Sequence, residues 1–447
     1  MKINQELFVI PNEKDFFLYL PLEKNILKVN SGVVKYLQKV KNCEETKIGD
    51  KIKNRLFKTR VLLENEKNKL SLFPKINHEY KPYNVTLVPT WDCNLRCIYC
   101  YSSGGEKIGD LMKFDIAKAS IDFIIKNAKE KGHKKVRLGF HGGGEPLLNK
   151  NIDFIKKVTE YFKEKGEKNK LKTRVSSATN GVLNRKNLEW ICNNFNYLNL
   201  SFDGPKDIQD RQRPMENGSG SFEFVIKTVE YLEGEKFPYS IRTTITKEST
   251  SRMPEIVEFF GSISNAKKFH FEPLFECGRC KTTKTKAVSP KEFLKYMILA
   301  KEKAERLKAE LYYSGGELEG IRNYFCGATG TNFFVTPPGD VTACLEVSRV
   351  HDNRAKIFFI GKYNKDTKKI SFQNERIEKL RERRVEKIVE CKDCFAKYNC
   401  AGDCLAKTYV KTKDLYSVSG NSRCKINRNL LLHEIKNKFQ TLEKQVG

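Results

Sequence analysis

The sequence has no run of about 18 apolar residues, so it offers no obvious membrane-spanning helix, and no membrane partner is expected. Its opening, MKINQELFVIPNEKDFF, interrupts the apolar run with acids and polar side chains and does not read as an export signal; the expected location is cytoplasmic. There is no internal repeat and no low-complexity tract, which argues against solenoids and long disordered segments. Acidic residues are scarce beside basic ones: 55 Asp and Glu against 83 Lys and Arg give a formal net charge of +28. A nucleic-acid partner would use such a field. Lysine is spread along the chain, however, and no compact Arg/aromatic motif stands out, so a Lys-rich surface is the simpler reading and nucleic acid is not expected. An acidic peptide would gain from the same field.

At 447 residues the chain is too long for one ordinary core and predicts two or three domains. Three regions separate. Residues 1–80 open with ELFVI and FFLYL, split by PNEKD, which read as a hairpin; NILKVNSGVVKYLQKV then reads as a strand and an amphipathic helix, and IKNRLFKTRVLL as a second helix. Residues 81–275 alternate six apolar strands (83–89, 136–140, 173–179, 197–202, 239–245 and 268–274) with helical patterns such as 115–130 and 151–165. That alternation predicts an α/β fold with a parallel sheet wrapped by helices, as an incomplete (β/α)6 TIM-type barrel whose site lies at the carboxyl ends of the strands. Residues 276–325 read as a bridging segment. The remainder, 326–447, is cysteine-rich and short of regular periodicity until a terminal helix; bound metal would have to hold it together.

Fourteen cysteines are present. Without an export signal, and at tight metal-ligand spacings, they read as metal ligands rather than disulfides. Directly after the first barrel strand, PTWDCNLRCIYCYSSGG carries Cys93, Cys97 and Cys100. Three thiolates on one short loop suit a four-iron cluster with one iron left open, and an open metal position marks a reactive site. The competing assignment is a zinc site completed by His133 or His141.

CNLRCIYCY resembles the cluster-binding signature of the radical S-adenosylmethionine (SAM) superfamily. The resemblance implies that the open iron binds SAM, that SAM is cleaved to a 5′-deoxyadenosyl radical, and that this radical takes a hydrogen atom from the substrate. It places Tyr99 near the adenine. HGGGEPLL follows the second strand, so Gly143, Gly144 and Glu145 inherit contact with the SAM amino group; a glycine-rich turn alone is weak support, but its position after strand two strengthens it. Ser201 and Arg242 are candidates for the SAM ribose or carboxylate, against plain hydrogen-bonding roles. His141, beside the glycines, is a candidate base, although a structural hydrogen bond is the simpler role.

A second signature follows. Cys326, Gly339-x4-Cys344, Cys391-x2-Cys394-x5-Cys400-x3-Cys404 and Cys424 resemble the SPASM extension of peptide-modifying radical SAM enzymes. A zinc ribbon would need two CxxC pairs, and this region has one. The family implies that Cys391, Cys394, Cys400 and Cys424 hold an outer auxiliary cluster and that Cys326, Cys344 and Cys404 hold an inner one, for three [4Fe–4S] clusters in all. The inner one is a ligand short: it either binds a substrate thiolate or takes a further ligand. Cys277 and Cys280, in FECGRC, could fill the gap or be ordinary thiols. Cys43 and Cys192 read as small buried hydrophobes.

The order of strands and helices in residues 1–80 looks like the winged-helix recognition element of ribosomal-peptide maturases, which implies a precursor peptide whose leader adds a strand to a sheet edge. A structural appendage is the alternative. Together these point to a maturase that forms a thioether (sactipeptide or ranthipeptide) link, with carbon–carbon crosslinking as a close variant and flavodoxin or ferredoxin as electron donor. The alternative is an enzyme similar to the anaerobic sulfatase maturases. That family places an Asp directly after the Cys of the Gly-x4-Cys element; here Leu345 stands there and Glu346 is one step late, so Glu346 and Asp340 are the weak candidates for a catalytic acid or base.

Overall fold

The computed structural model describes residues 1–64, 73, 79–106 and 111–446, with side chains as far as residue 439. The chain divides into two compact units. One comprises residues 1–77, 315–325 and 383–447; the other comprises 78–314 and 326–382.

The second unit is built on the six expected parallel strands, Asn84–Leu87, Lys135–Phe140, Lys172–Thr179, Tyr197–Ser201, Tyr239–Ile245 and Lys268–Pro273, paired in sequence order. Apolar residues of each strand, such as Val136, Leu138 and Phe140, are buried against helices including Phe114–Glu130 and Ile152–Lys168. The partial barrel is therefore as expected. Within the 276–325 segment, Ser289 caps a 17-residue helix, Pro290–Arg306: its hydroxyl accepts from the Glu292 amide at 3.2 Å and donates to the Glu292 carboxylate at 2.7 Å, with proline at the first helical position. That helix leads to Glu310–Tyr312, a seventh parallel strand.

At the other edge the expectation of little regular structure needs correction. Phe334–Val335 pairs in parallel with Thr86–Leu87, and the strands Asp340–Thr342, Phe359–Asn364 and Lys369–Phe372 extend the sheet antiparallel to eleven strands. Their short length and the bulge at Val341/Thr342 hid the alternation. Residues 326–382 thus continue the barrel sheet, while 383–447 belongs to the other unit, so the compact units cut the chain elsewhere than at the expected boundaries.

In the first unit the expected hairpin is present, Phe8–Asn12 against Asp15–Leu20, with Asn25–Val29 completing a three-stranded antiparallel sheet. Asn30 caps the helix Ser31–Lys41 by accepting from the Val33 amide. The second helix is shorter than expected: Asp50–Lys58 ends before Arg60, whose φ is +63°, and Leu62–Leu63 instead pairs with Lys2–Ile3. The central strand is buried on both faces. Leu18 and Leu20 pack with Leu27, Tyr36, Leu37 and Leu56; Phe17 and Tyr19 pack with Ala396, Cys400, Leu431 and Ile435 from the cysteine-rich segment and the terminal helix Arg423–Val446. Tyr19 donates to Asn399 Oδ1 at 2.8 Å, and Glu6 accepts from Lys397 and Tyr398.

Candidate active site

The loop after the first barrel strand is folded around its cysteines. The Leu95 amide points at Cys93 Sγ and the Gly104 amide at Cys100 Sγ, each at 3.4 Å, and Asn180 Nδ2 approaches Cys93 Sγ at 3.8 Å. Donors aimed at sulfur suit thiolates carrying a metal cluster, whose net charge such hydrogen bonds offset. Burial pushes the Cys93 thiol well up and the Cys97 thiol to about 11, so both favour the thiol until a cation or metal is supplied. Among the described residues no three His, Cys, Asp or Glu converge as a single metal ion requires. His133 packs against Tyr83, their ring centroids 3.8 Å apart and the planes tilted by 32°.

The glycine turn lies directly against this loop. The Gly144 amide donates to Thr90 O at 3.0 Å and the Glu145 amide to Asp92 O at 2.8 Å; a Cβ on Gly144 would fall 1.9 Å from the Asp92 carbonyl oxygen. Gly143, at φ +72°, has its carbonyl bonded by Ser102. The Glu145 carboxylate accepts from the Leu147 and Asn180 amides and from the Thr179 hydroxyl, yet burial outweighs these bonds and moves its pKa up to about 7.

Tyr99 is locked by a buried network: its hydroxyl donates to Asp203 at 2.5 Å and accepts from Arg213 at 2.6 Å, while Gln212 and the Thr244 amide also bond Asp203. Ser201 and Arg242 stand opposite one another on adjacent strands, which puts them on one face. His141 is half-buried and its Nδ1, shielded from solvent, has no hydrogen-bond partner among the described residues; burial, and then the Arg242 charge, hold its pKa down to about 4, which favours the neutral imidazole.

Tyr101, which sequence reasoning passed over, sits where several elements meet. Its hydroxyl would lie 3.3 Å from a Cβ on Gly142, and its phenol is raised by burial and by the charges of Cys100, Glu346 and Cys344. Its place directly after the last cysteine of the motif was the available signal. Glu346 is thus brought beside the loop. Asp340 stands in the hairpin ladder and pairs with Lys362 at 3.6 Å. The Cys277–Cys280 segment packs on the cysteine loop: a Cβ on Gly278 would meet the Cys100 carbonyl oxygen at 2.3 Å, and Arg279 donates to the carbonyls of Cys97 at 3.0 Å and Gly104 at 2.7 Å. Cys280 donates to Cys277 O at 2.9 Å.

In the first unit, Cys391, Cys394, Cys400 and Cys424 lie near enough for charge on one to be felt at another. Burial raises each thiol, Cys391 to about 12 and Cys424 to about 11, and the charge of one or more of the others adds to the shift at Cys391, Cys400 and Cys424. Asn427 Nδ2 reaches Cys400 Sγ at 3.0 Å. Cys404 lies in this unit; Cys326 and Cys344 lie in the other. Cys43 is exposed at φ +60°, which corrects the expectation of a buried side chain: it follows a helix end rather than occupying one. Cys192 is half-buried.

Residues 87–260 match the model of the radical SAM superfamily. A cysteine-type anaerobic sulfatase-maturating enzyme of Clostridium novyi is 29% identical over 171 residues, 38% of this chain, which spans 45% of that relative's length. One from Clostridium perfringens is 24% identical over 339 residues, 70% of this chain and 85% of its own. Among solved structures, native anSMEcpe with bound AdoMet superposes with a TM-score of 0.63 at 18% identity, covering 81% of this chain and all of that one. Streptococcus suis SuiB bound to its precursor peptide SuiA superposes at 0.55 and 17% identity, covering 94% and 99%. Among the described residues no helix is long and apolar enough to cross a membrane. A cysteine loop folded to present sulfur at the head of a partial barrel, and a family match over residues 87–260, show that the chain carries a radical SAM domain, the domain of enzymes that use a [4Fe–4S] cluster and SAM.

Proposed function

We propose that this enzyme matures a ribosomally made peptide, installing a crosslink from a Cys sulfur to carbon. The observation that carries the reading is the first unit: one compact body unites the three-stranded sheet and helices of residues 1–64 with Cys391, Cys394, Cys400 and Cys424. The three-stranded sheet ends in the strands Phe8–Asn12 and Asn25–Val29, and an extended leader can pair with such an edge. Cys391, Cys394, Cys400 and Cys424 would hold an outer auxiliary cluster. When bound, the cluster at Cys93, Cys97 and Cys100 together with SAM supplies the radical that removes hydrogen from the peptide. The chain's own residues do the rest: Gly143, Gly144 and Glu145 bind the SAM amino end, Ser201 and Arg242 its ribose or carboxylate, and the Asp203–Arg213 network fixes Tyr99. Glu346, beside Tyr101, is the better placed candidate proton acceptor.

The test is anaerobic co-expression with short Cys-rich precursor peptides. Mass spectrometry should show the loss of two hydrogens per crosslink, with 5′-deoxyadenosine formed from SAM in the purified system. Unmodified peptides in the presence of active SAM cleavage would overturn the crosslinking assignment. The names of the Clostridium relatives favour a second reading, oxidation of a sulfatase Cys or Ser to formylglycine; Leu345 after Cys344 argues against it. An aldehyde probe on a sulfatase-derived peptide separates the two.

A further inference from the structure

Arg383 is the largest fully buried side chain in the molecule's described residues, at 0% exposure. Its guanidinium donates from Nε to Leu415 O at 2.9 Å and from Nη2 to Gly402 O at 2.8 Å. Its Nη1 is buried with no hydrogen-bond partner among the described residues. Gly402, at φ +74°, approaches so closely that a Cβ there would lie 3.3 Å from Nη1. Among the described residues Arg383 forms no ion pair. The nearby carboxylate, Asp403, is already held by Arg423 at 2.9 Å and by Asn421 at 2.8 Å. A guanidinium cannot shed its proton, so a lone one in a dry interior is strongly disfavoured unless an anion faces it.

The groups whose negative charge reaches Arg383 are Cys404, Asp403, Cys391 and Cys400. Three of the four are cysteines of the Cys391, Cys394, Cys400 and Cys424 set or its immediate continuation. A four-iron cluster held by thiolates is a net anion, and hydrogen bonds to its sulfurs and nearby charge set its reduction potential.

We propose that Arg383 is the counter-charge of the iron–sulfur cluster bound by Cys391, Cys394, Cys400 and Cys424, giving its free Nη1–H to a cluster sulfur and holding that cluster's reduction potential up. The inference rests on the reading that these four cysteines bind a cluster. It makes Arg383 a positioning and tuning residue: a cluster facing a fixed cation takes up an electron more readily than one facing apolar side chains, which suits an acceptor.

Arg383→Lys and Arg383→Met separate charge from geometry. Iron content and redox titration followed by electron paramagnetic resonance are measured anaerobically on the full-length holoenzyme, alongside a Cys391→Ala/Cys394→Ala double variant. The expected result is a lower potential for one auxiliary cluster in Arg383→Met, a smaller drop in Arg383→Lys, and an unmoved cluster at Cys93, Cys97 and Cys100. Unchanged potentials at full iron content would overturn the role of Arg383 while leaving the cluster assignment intact. A double variant that loses no iron would instead overturn the cluster assignment, and the inference with it. The cluster-stripped proteins give a further readout. Stripped Arg383→Met should melt no lower than stripped wild type, because the lone charge is gone. A markedly lower melting point would assign Arg383 to holding the Leu415 and Gly402 carbonyls and reject the proposal.

Discussion

Gly144 has no room for a methyl group, because all three nearest atoms to a Cβ there are backbone of Trp91 and Asp92. Gly144→Ala should therefore cost about 1–3 kcal/mol and loosen the grip on iron, read by thermal melting and iron content. Cys97→Ala should abolish 5′-deoxyadenosine formation while leaving far-ultraviolet circular dichroism intact. His141 sets a pH dependence. Its folded pKa is about 4 against 6.5 unfolded, so between those values the unfolded chain binds the proton that the half-buried imidazole refuses. Stability contributed by the neutral form should be present above pH 6.5 and fall as the solution is acidified toward pH 4, and His141→Phe should flatten that slope in melting curves taken across the range. At this scale the cysteine spacings were readable from the sequence, because ligands on one loop must be close in sequence. Arg213, Arg279, Tyr101 and Arg383 were not, because each earns its place through residues far along the chain, as Arg279 does at Cys97 and Gly104.

Among the elements, the strands that a helix covers were legible to within a few residues: 239–245 is as expected, and 173–179 gains one residue. Apolar runs flanked by amphipathic helices carry a signal that needs no partner to be recognised. Of the four strands from Phe334 to Phe372, Phe334–Val335 and Asp340–Thr342 had none, since two or three residues cannot display a period and their identity comes from pairing, the first onto Asn84–Leu87 and the second onto the first. The seventh strand depends likewise on the helix before it. Ser289→Ala removes the cap of Pro290–Arg306 and should lower stability by about 1 kcal/mol, seen as a reduced melting temperature with unaltered SAM cleavage at low temperature.

At the level of the whole molecule, a net charge of +28 governs encounters. If the peptide is acidic, its affinity should weaken steadily as ionic strength rises from ~0.1 M to ~1 M, where the screening length drops from about 10 Å to about 3 Å; isothermal titration across that series would measure it, and a flat response would mean that charge plays no part in recognition. The doubly buried strand Asp15–Leu20 has a wider consequence. One side chain in two along it packs within the amino-terminal module and the next against the cysteine-rich tail, so one face of the module has no cover without that tail. A chimera that transplants residues 1–64 alone onto another catalytic scaffold would arrive with Phe17 and Tyr19 stripped bare, and should aggregate. Moving this module therefore calls for exchanging residues 1–64 together with the cysteine-rich tail and its helix, as one inherited cassette.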